Sequence, residues 1–208
     1  MWSGVDQAYQ GITELDMAGK LDQLNIEELG NLFPVIIAEY DPAWIKMFAA
    51  EKINIEDVLG VQNIVRIEHI GSTAVSNLKS KPTIDILLEV PESVDTKIVI
   101  EKLISIDYHF IHRPENPAPH MMFVKGYTIN GFKGQAYHIH LRYPGDWDEL
   151  YFRDYLKLHP ETVREYGELK LRLAAEFRNN REGYTEKKTD FIKRITGLAR
   201  EKTTRGKE

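Results

Sequence analysis

The stretch from Arg66 to Glu89, RIEHIGSTAVSNLKSKPTIDILLE, constrains the fold of this chain more than any other. Arg66 to Ile70 alternates and is rich in branched apolar residues, the pattern of a strand, and it runs into Gly71, which allows close backbone approach. Ser72 to Leu78 reads as a short helical turn whose free N–H groups, with the Ser72 hydroxyl, can receive an anionic oxygen. Pro82 opens a second strand, Thr83 to Val90, and Asp85 stands within it between Ile84 and Ile86, where a charge costs free energy unless it is paired or binds a cation. Two neighbouring strands would then carry a Gly-Ser turn and a carboxylate at their ends, where a phosphate-handling site would sit. The bland alternative is an ordinary strand-to-helix turn.

The rest of the chain alternates helix and strand patterns, which predicts one α/β domain. Leu15 to Phe33 reads as one or two helices ending before Pro34, and Val35 to Glu39 as a strand. Asp41-Pro42 caps a helix running through about Leu59. A helix over about Val94 to Ile106 would turn Ile98, Leu103 and Ile106 inward, and strands follow at Tyr108–His112, Met121–Tyr127 and Gln135–Tyr143, giving a sheet of mixed direction. The three prolines of Arg113 to Met122 make that segment a loop, one that would close over a substrate through Arg113 or His120 if it borders a site. Asp146 and Glu149 resemble a capping box for a helix carrying FRDYLKLHP; long helices follow at Glu161–Arg178 and about Thr185–Ala199, and TTRGKE reads as a frayed tail.

Gly71-Ser72, twelve intervening residues and Asp85 together resemble the signature of the nucleotidyltransferase superfamily. More closely, the chain resembles the GrpB family, an uncharacterised group of nucleotidyltransferase-like proteins. The matching segments are YDPAW (Tyr40–Trp44), IEHIGSTAV (Ile67–Val75), KPTIDIL (Lys81–Leu87), HIHL (His138–Leu141), FRDYLK (Phe152–Lys157) with His159-Pro160, and Leu169-Lys170. The resemblance implies an α/β (α+β) fold, a mixed sheet flanked by helices with further helices at the C-terminus. That domain would occupy 34–200, after a helical extension over 1–33 and before a flexible tail over 201–208. It further implies phosphate binding by Gly71, Ser72 and Thr73, with Arg153 and Lys170 as additional phosphate ligands, and a divalent metal, magnesium or manganese, on Asp85.

One departure from the superfamily pattern matters for chemistry. A second carboxylate is usual two residues after the first, on the same strand face, and here that position is Leu87. Glu89 is in phase with Asp85 but lies roughly 13 Å along the strand, too far to share a metal. A substitute is offered by His138 and His140, which flank Ile139 and point to the same side of their strand. Beside the Asp85 strand they would complete a metal site of one carboxylate and two imidazoles, a set that suits zinc or another transition metal better than magnesium, or they would serve as acid and base. His69 reads as a structural histidine, and Arg153-Asp154 as a phosphate clamp or a salt bridge.

The function so implied is metal-dependent transfer of a nucleotidyl group from a nucleoside triphosphate to an unspecified acceptor, with Asp85, His138 and His140 as catalytic residues. Two alternatives stay open: a non-catalytic module binding a nucleotide or phosphometabolite, and a metal-dependent hydrolase. Whether the chain is an enzyme at all turns on Leu87, and its oligomeric state is not defined by sequence.

Composition narrows the partners. The chain has 208 residues, 42% of them hydrophobic, enough for one full core, and no cysteine, so neither a disulfide framework nor a thiolate nucleophile is available. The N-terminus has no signal-peptide pattern and no run approaches a membrane span, so a cytoplasmic protein with no membrane partner is expected. Through Leu150 there are 12 basic and 22 acidic residues, net −10; from Tyr151 onward 15 basic and 10 acidic, net +5. The basic back half reads first as a solvated face in which alternating Glu and Lys form helical pairs; its functional alternative sets Arg153, Lys157, Lys170 and Lys187 against a polyphosphate or nucleic acid, while the overall charge of −5 disfavours a dedicated nucleic-acid binder.

Overall fold

The computed structural model describes residue 21 and residues 23–205. Helices α1 (Ile26–Leu32) and α2 (Ala43–Leu59) precede strands β1 (Arg66–Ile70) and β2 (Thr83–Glu89), joined through a 3₁₀ turn at Ser72–Ala74. Helix α3 (Thr96–Ile104) leads to β3 (His109–His112), β4 (Met121–Thr128) and β5 (Gly131–Arg142), and the chain closes with α4 (Asp148–Leu158), α5 (Pro160–Glu176), α6 (Arg181–Glu186) and α7 (Thr189–Arg205). The five strands form one sheet in the order β1-β2-β5-β4-β3. Only the β2–β5 pair is parallel, so the sheet is mixed, as the strand pattern predicts.

The period of two along each strand sends alternate residues to opposite faces. Ile84, Ile86, Leu88, Phe123, Ile139 and Leu141 are all fully buried on the face covered by α2 and α3. Glu51 enters this core from α2 with its charge paired to Lys125 at 2.9 Å. The buried His69 has its Nε2 within 3.0 Å of Thr73 Oγ1, and its ring stacks on Phe48. Burial pushes its pKa down to about 4, so the ring is neutral near pH 7. The other face carries Asp85, His138 and His140. The C-terminal helices do not pack directly on it but stand over it across a cavity. Phe152, Leu156, Tyr166, Phe191 and Ile195 pack instead around Val75 and Leu78, between β1 and β2.

Several local expectations need correction. Val35–Glu39 is not a strand: only Ala38 bridges, to Ser80, while Val35 N donates to Arg178 O, so the segment's backbone bonds go to two different stretches and form no ladder. Helix α3 starts later than predicted, at the Asp95 cap, so Val99, Ile100 and Leu103 are inward while Ile98 is half exposed. Asp146 and Glu149 form no capping box; Trp147 is the N-cap residue without a side-chain bond, and Asp146 and Asp148 pair with Arg200 of α7. The single helix expected over Thr185–Ala199 is two, parted at Lys187-Lys188, with Asn180 capping α6 through the Gly183 amide. Helix α7 continues through Arg205, its last turn tied by Lys202 Nζ at 2.8 Å from His159 Nε2 and by the Thr203 hydroxyl donating to Ala199 O. The N-terminal stretch read for a signal peptide, the start of the Leu15–Phe33 helix and the final three residues lie outside the described residues.

Candidate functional site

Strand register assembles the centre of the site. On the parallel β2–β5 ladder Asp85 lies directly beside His138, and Leu87 beside His140. The Asp85 carboxylate therefore meets two imidazoles: His138 Nδ1 is 3.2 Å and His140 Nε2 3.5 Å from Oδ1. Hydrogen bonds and charge from the two histidines hold the Asp85 pKa far below the usual carboxylate range, overcoming the upward push of burial. One donor atom from each of the three residues falls within 4.8 Å of the others, the spacing of a metal-ligand set. The position where a second strand carboxylate would stand is filled by the buried Leu87, and the polar group nearest to replacing it comes from the next strand, as His140.

His138 is engaged at both ring nitrogens. Its Nε2 lies 2.7 Å from the Tyr127 hydroxyl, which itself accepts from Arg181 Nη2 at 3.3 Å. The consistent assignment is a neutral ring that donates from Nδ1 to Asp85 and accepts at Nε2 from Tyr127; burial lowers its pKa and supports that state. His138 thus acts as a prop that orients Asp85, and Asp85 with His140 are the donors open toward a cation. Glu89 takes no part, because its carboxylate is bound by Arg66, the Trp147 indole and the Gly145 amide.

The Gly-Ser turn sits over this centre. Gly71 has φ +70, and a Cβ built on it would collide with the Asp85 carboxylate, so this glycine serves both a left-handed backbone and the approach of the turn to the acid. Ser72 faces the cavity. Thr73 does not: it is buried, donating to Thr83 O and bonded to His69, so it supports the turn from behind. Arg153 is likewise held elsewhere. Its guanidinium lies along the edge strand β1, donating to Glu68, His69 O and Asp154.

Above the sheet lies a cavity of about 750 Å³ with Asp85, His138 and His140 in its floor. Its far wall is cationic: Lys81 from the approach to β2, Lys170 from α5, Arg181 from α6 and Lys188 before α7. Among the described residues none of these four is in an ion pair; Lys170 reaches the Ser80 hydroxyl at 3.3 Å and sits over the Tyr166 ring, and Lys81 and Lys188 sit over Tyr184. Burial and mutual repulsion lower Lys81 to about 7 and Lys170 well below its ordinary value; burial lowers Lys188 to about 8, against the pull of Asp85. A second opening of about 650 Å³ runs along Gly71 and Ser72 past His140 to Trp147 and Arg200. Arg113 and Asn116 bring the proline-bearing loop to the rim, whereas His120 lines neither opening.

Sequence reasoning had Lys170 in this wall but missed Lys81, Arg181 and Lys188. It also chose Lys187, which is exposed, over its neighbour Lys188. A lysine four residues before Asp85 was the one signal that could have found Lys81.

Comparison with known proteins places this architecture. A family profile described as "GrpB protein" matches residues 34–197. The chain belongs to the GrpB family. A UPF0157 protein of Pseudomonas aeruginosa is 41% identical over 161 residues, covering 76% of this chain and 65% of that protein, so this GrpB chain spans just under two thirds of that relative. The glutamate-rich protein GrpB of Alkalihalophilus pseudofirmus is 32% identical over 164 residues, 77% of this chain and 93% of its own length. The crystal structure of conserved protein GrpB from Enterococcus faecalis superposes with a TM-score of 0.71 at 30% identity, over 81% of this chain and 99% of that one. The mixed α/β fold and the family are therefore as the sequence motifs imply. No helix among the described residues is long and apolar enough to cross a membrane.

Proposed function

We propose that this GrpB protein binds a nucleoside triphosphate or a related phosphometabolite in the cationic cavity and transfers its nucleotidyl group to an acceptor. The observation that carries this reading is the charge arrangement: four basic side chains from four segments, in no ion pair among the described residues, face the ionised Asp85 across a cavity whose lining also carries Glu115, Glu149, Glu182 and Glu186. Such a set repels itself when empty and is relieved by a ligand bearing several negative charges, which is what a polyphosphate chain offers.

Asp85 and His140 would hold a divalent cation beside the phosphates, and their mixed oxygen and nitrogen donors suit manganese or zinc better than magnesium. When bound, that ion supplies charge stabilisation at a phosphoryl oxygen. The chain's own groups do the rest. Lys81, Lys170, Arg181 and Lys188 bind and orient the non-bridging oxygens, Ser72 offers a further donor, and His138 keeps the Asp85 carboxylate aimed. An acceptor oxygen then bonds to the α-phosphorus as its bond to the diphosphate breaks, and the cations stabilise the leaving diphosphate.

The test is thermal stability of metal-stripped protein against nucleoside triphosphates with Mg²⁺, Mn²⁺ or Zn²⁺, for wild type and Asp85→Asn, followed by assay of released diphosphate. A metal-dependent shift lost in Asp85→Asn, with diphosphate release in the presence of an acceptor, is expected. A second reading, a binding module without transfer, is favoured by Leu87 in the place of a second carboxylate; ligand shifts that ignore metal and survive Asp85→Asn would select it. Release of inorganic phosphate with water as acceptor would point to a hydrolase.

A further inference from the structure

A second chamber, of about 470 Å³, adjoins the cationic one and differs from it in chemistry. Its walls are apolar: Ile26 and Leu29 of α1, Phe33, Ile111 of β3 and Val124 of β4 are among them. Arg113, Met122, His138, Arg181 and Glu182 line both chambers, so the two share a wall. The partition is aromatic. Phe33 meets Tyr127 edge-on at 5.0 Å between centroids, and Tyr127 stacks on His138 at 5.6 Å.

Helix α1 builds one wall of this chamber and precedes the residues 34–197 matched by the family profile. Its attachment is specific. Asn179 Nδ2 donates to Asn31 Oδ1 at 2.8 Å, Arg181 Nη1 donates to Phe33 O at 3.0 Å, and Gly30 lies so close to the Asn179 backbone that a Cβ there would collide with it. Arg181 therefore ties α1 to the cationic wall while its other nitrogen reaches Tyr127. Against this anchoring, Ile26 keeps 60% of its surface exposed at the chamber mouth. The volume falls in the range of small-molecule sites, about 300–1,000 Å³, whose apolar linings with a few convergent polar groups bury most of a ligand.

We propose that the apolar chamber is the subsite for an uncharged apolar group carried on a phosphate chain, so that the substrate is an amphipathic phosphate ester with its anionic end among the lysines and its apolar end against α1. This rests on the reading of the cationic cavity as the phosphate site. A nucleobase and an alkenyl chain both offer an uncharged, largely apolar surface, and because His138 lines both chambers and Tyr127 the apolar one, the junction of the two halves of the ligand would lie beside that pair.

The experiment compares bare and armed phosphates by calorimetric titration on wild type, Ile26→Gln and Ile111→Trp, the first making the α1 wall polar and the second filling the chamber from the edge strand. The probes are inorganic triphosphate against adenosine triphosphate, and inorganic diphosphate against geranyl diphosphate. At least one armed probe is expected to bind wild type tenfold or more tightly than its bare counterpart. Both variants should lose that excess while binding the bare phosphate as wild type does; the arm that loses it identifies base or alkenyl chain. Equal affinity of armed and bare probes on wild type, or an excess that survives both variants, overturns the proposal. Failure of the bare phosphates to bind wild type counts against the cationic site itself and is read separately from the excess.

Discussion

The two faces of the sheet are built from the same strands and have opposite fates. On one face Ile84, Ile86, Leu88, Ile139 and Leu141 are fully buried beneath α2 and α3, and the charged Glu51 that enters there is matched by Lys125. On the other, one residue out of phase, Asp85, His138 and His140 look into a cavity where Lys81, Lys170, Arg181 and Lys188 are in no ion pair among the described residues. The difference teaches that the buried charge on the first face is paired locally, whereas the charged groups on the second are held close together by the scaffold around an open cavity. Stability should therefore depend on the first face and ligand binding on the second.

The largest effect is expected on the closed face. Phe123→Ala removes a fully buried ring and should lower unfolding free energy by about 3–5 kcal/mol, read from a denaturant midpoint. Ligand binding by the fraction still folded should be unchanged. Loss of binding in folded Phe123→Ala protein would break the separation of the two faces.

Asp85→Asn is the converse. It removes the acid of the Asp85, His138 and His140 group while keeping its shape, and metal-dependent ligand affinity should fall by about a hundredfold or more, by analogy with the 10–100-fold cost of disturbing even outer partners of a metal ligand. Folding should persist, because the carboxylate contributes no apolar contact to the closed core. A titration with Mn²⁺ or Zn²⁺ followed by calorimetry measures the loss. Unaltered metal affinity would mean that the acid serves only to orient His138.

A smaller effect, and one with a pH signature, is expected from the cationic wall. Lys170→Met replaces a buried ammonium with an apolar chain of similar length. Inorganic triphosphate should bind about ten- to a hundredfold more weakly, as expected for loss of one charge-assisted contact worth about 1.5–3 kcal/mol, while thermal stability does not fall. Lys81 and Lys188 titrate near 7 and 8 in the folded chain, below their unfolded value. Between those values and about 10 the unfolded chain binds more protons than the folded one, so ligand-free stability should rise with pH across that window, the penalty being fully present below it. Phosphate affinity should move the other way, falling as the same lysines lose their protons. On the closed face His69, held at about 4 against 6.5 unfolded, places its stability loss at the acid end, as pH falls from about 6.5 through 4. Two separate windows on a stability profile would sharpen the distinction between faces, and a flat profile above pH 7 would remove the case for a self-repelling wall.

How much of this could be read from the sequence follows from the range of the interactions. Arg66–Ile70 and the Asp85 strand were legible because a period of two and a proline boundary are local signals, and the HxH pair was legible because alternation fixes its common direction. That His138 stands beside Asp85 needed only the adjacency of β2 and β5. The cationic wall was not legible: Lys81 lies about a hundred residues before Arg181 and Lys188, and only the packing of Tyr184 and Leu173 against Val35 brings α5 and α6 over the sheet. Nor could the pattern choose between Lys187 and Lys188, since the helix read through them breaks at that point and rotates the second inward. Arg153 misled for a related reason: an arginine near a site in sequence serves an edge strand just as well, and here Glu68 and the His69 carbonyl claim it.

The smallest expected effect comes from Tyr127→Phe, and it separates propping from ligation within the open face. The hydroxyl donates to His138 Nε2 and contacts no donor of the Asp85 and His140 pair directly. Its removal leaves the edge-on contact with Phe33 and the packing of β4 intact but frees His138 Nε2, so the imidazole loses the bond that fixes its Nδ1 proton toward Asp85. If His138 acts by orienting Asp85, metal affinity should fall only several-fold, in line with about 1 kcal/mol for one neutral hydrogen bond, and His138→Asn, which keeps a donor, should retain more affinity than His138→Ala. If His138 is itself a ligand, freeing Nε2 should leave affinity unchanged or raise it, and His138→Asn should be as damaged as His138→Ala. The sign of the Tyr127→Phe effect on metal binding thus decides whether the open face presents two donors to a cation or three.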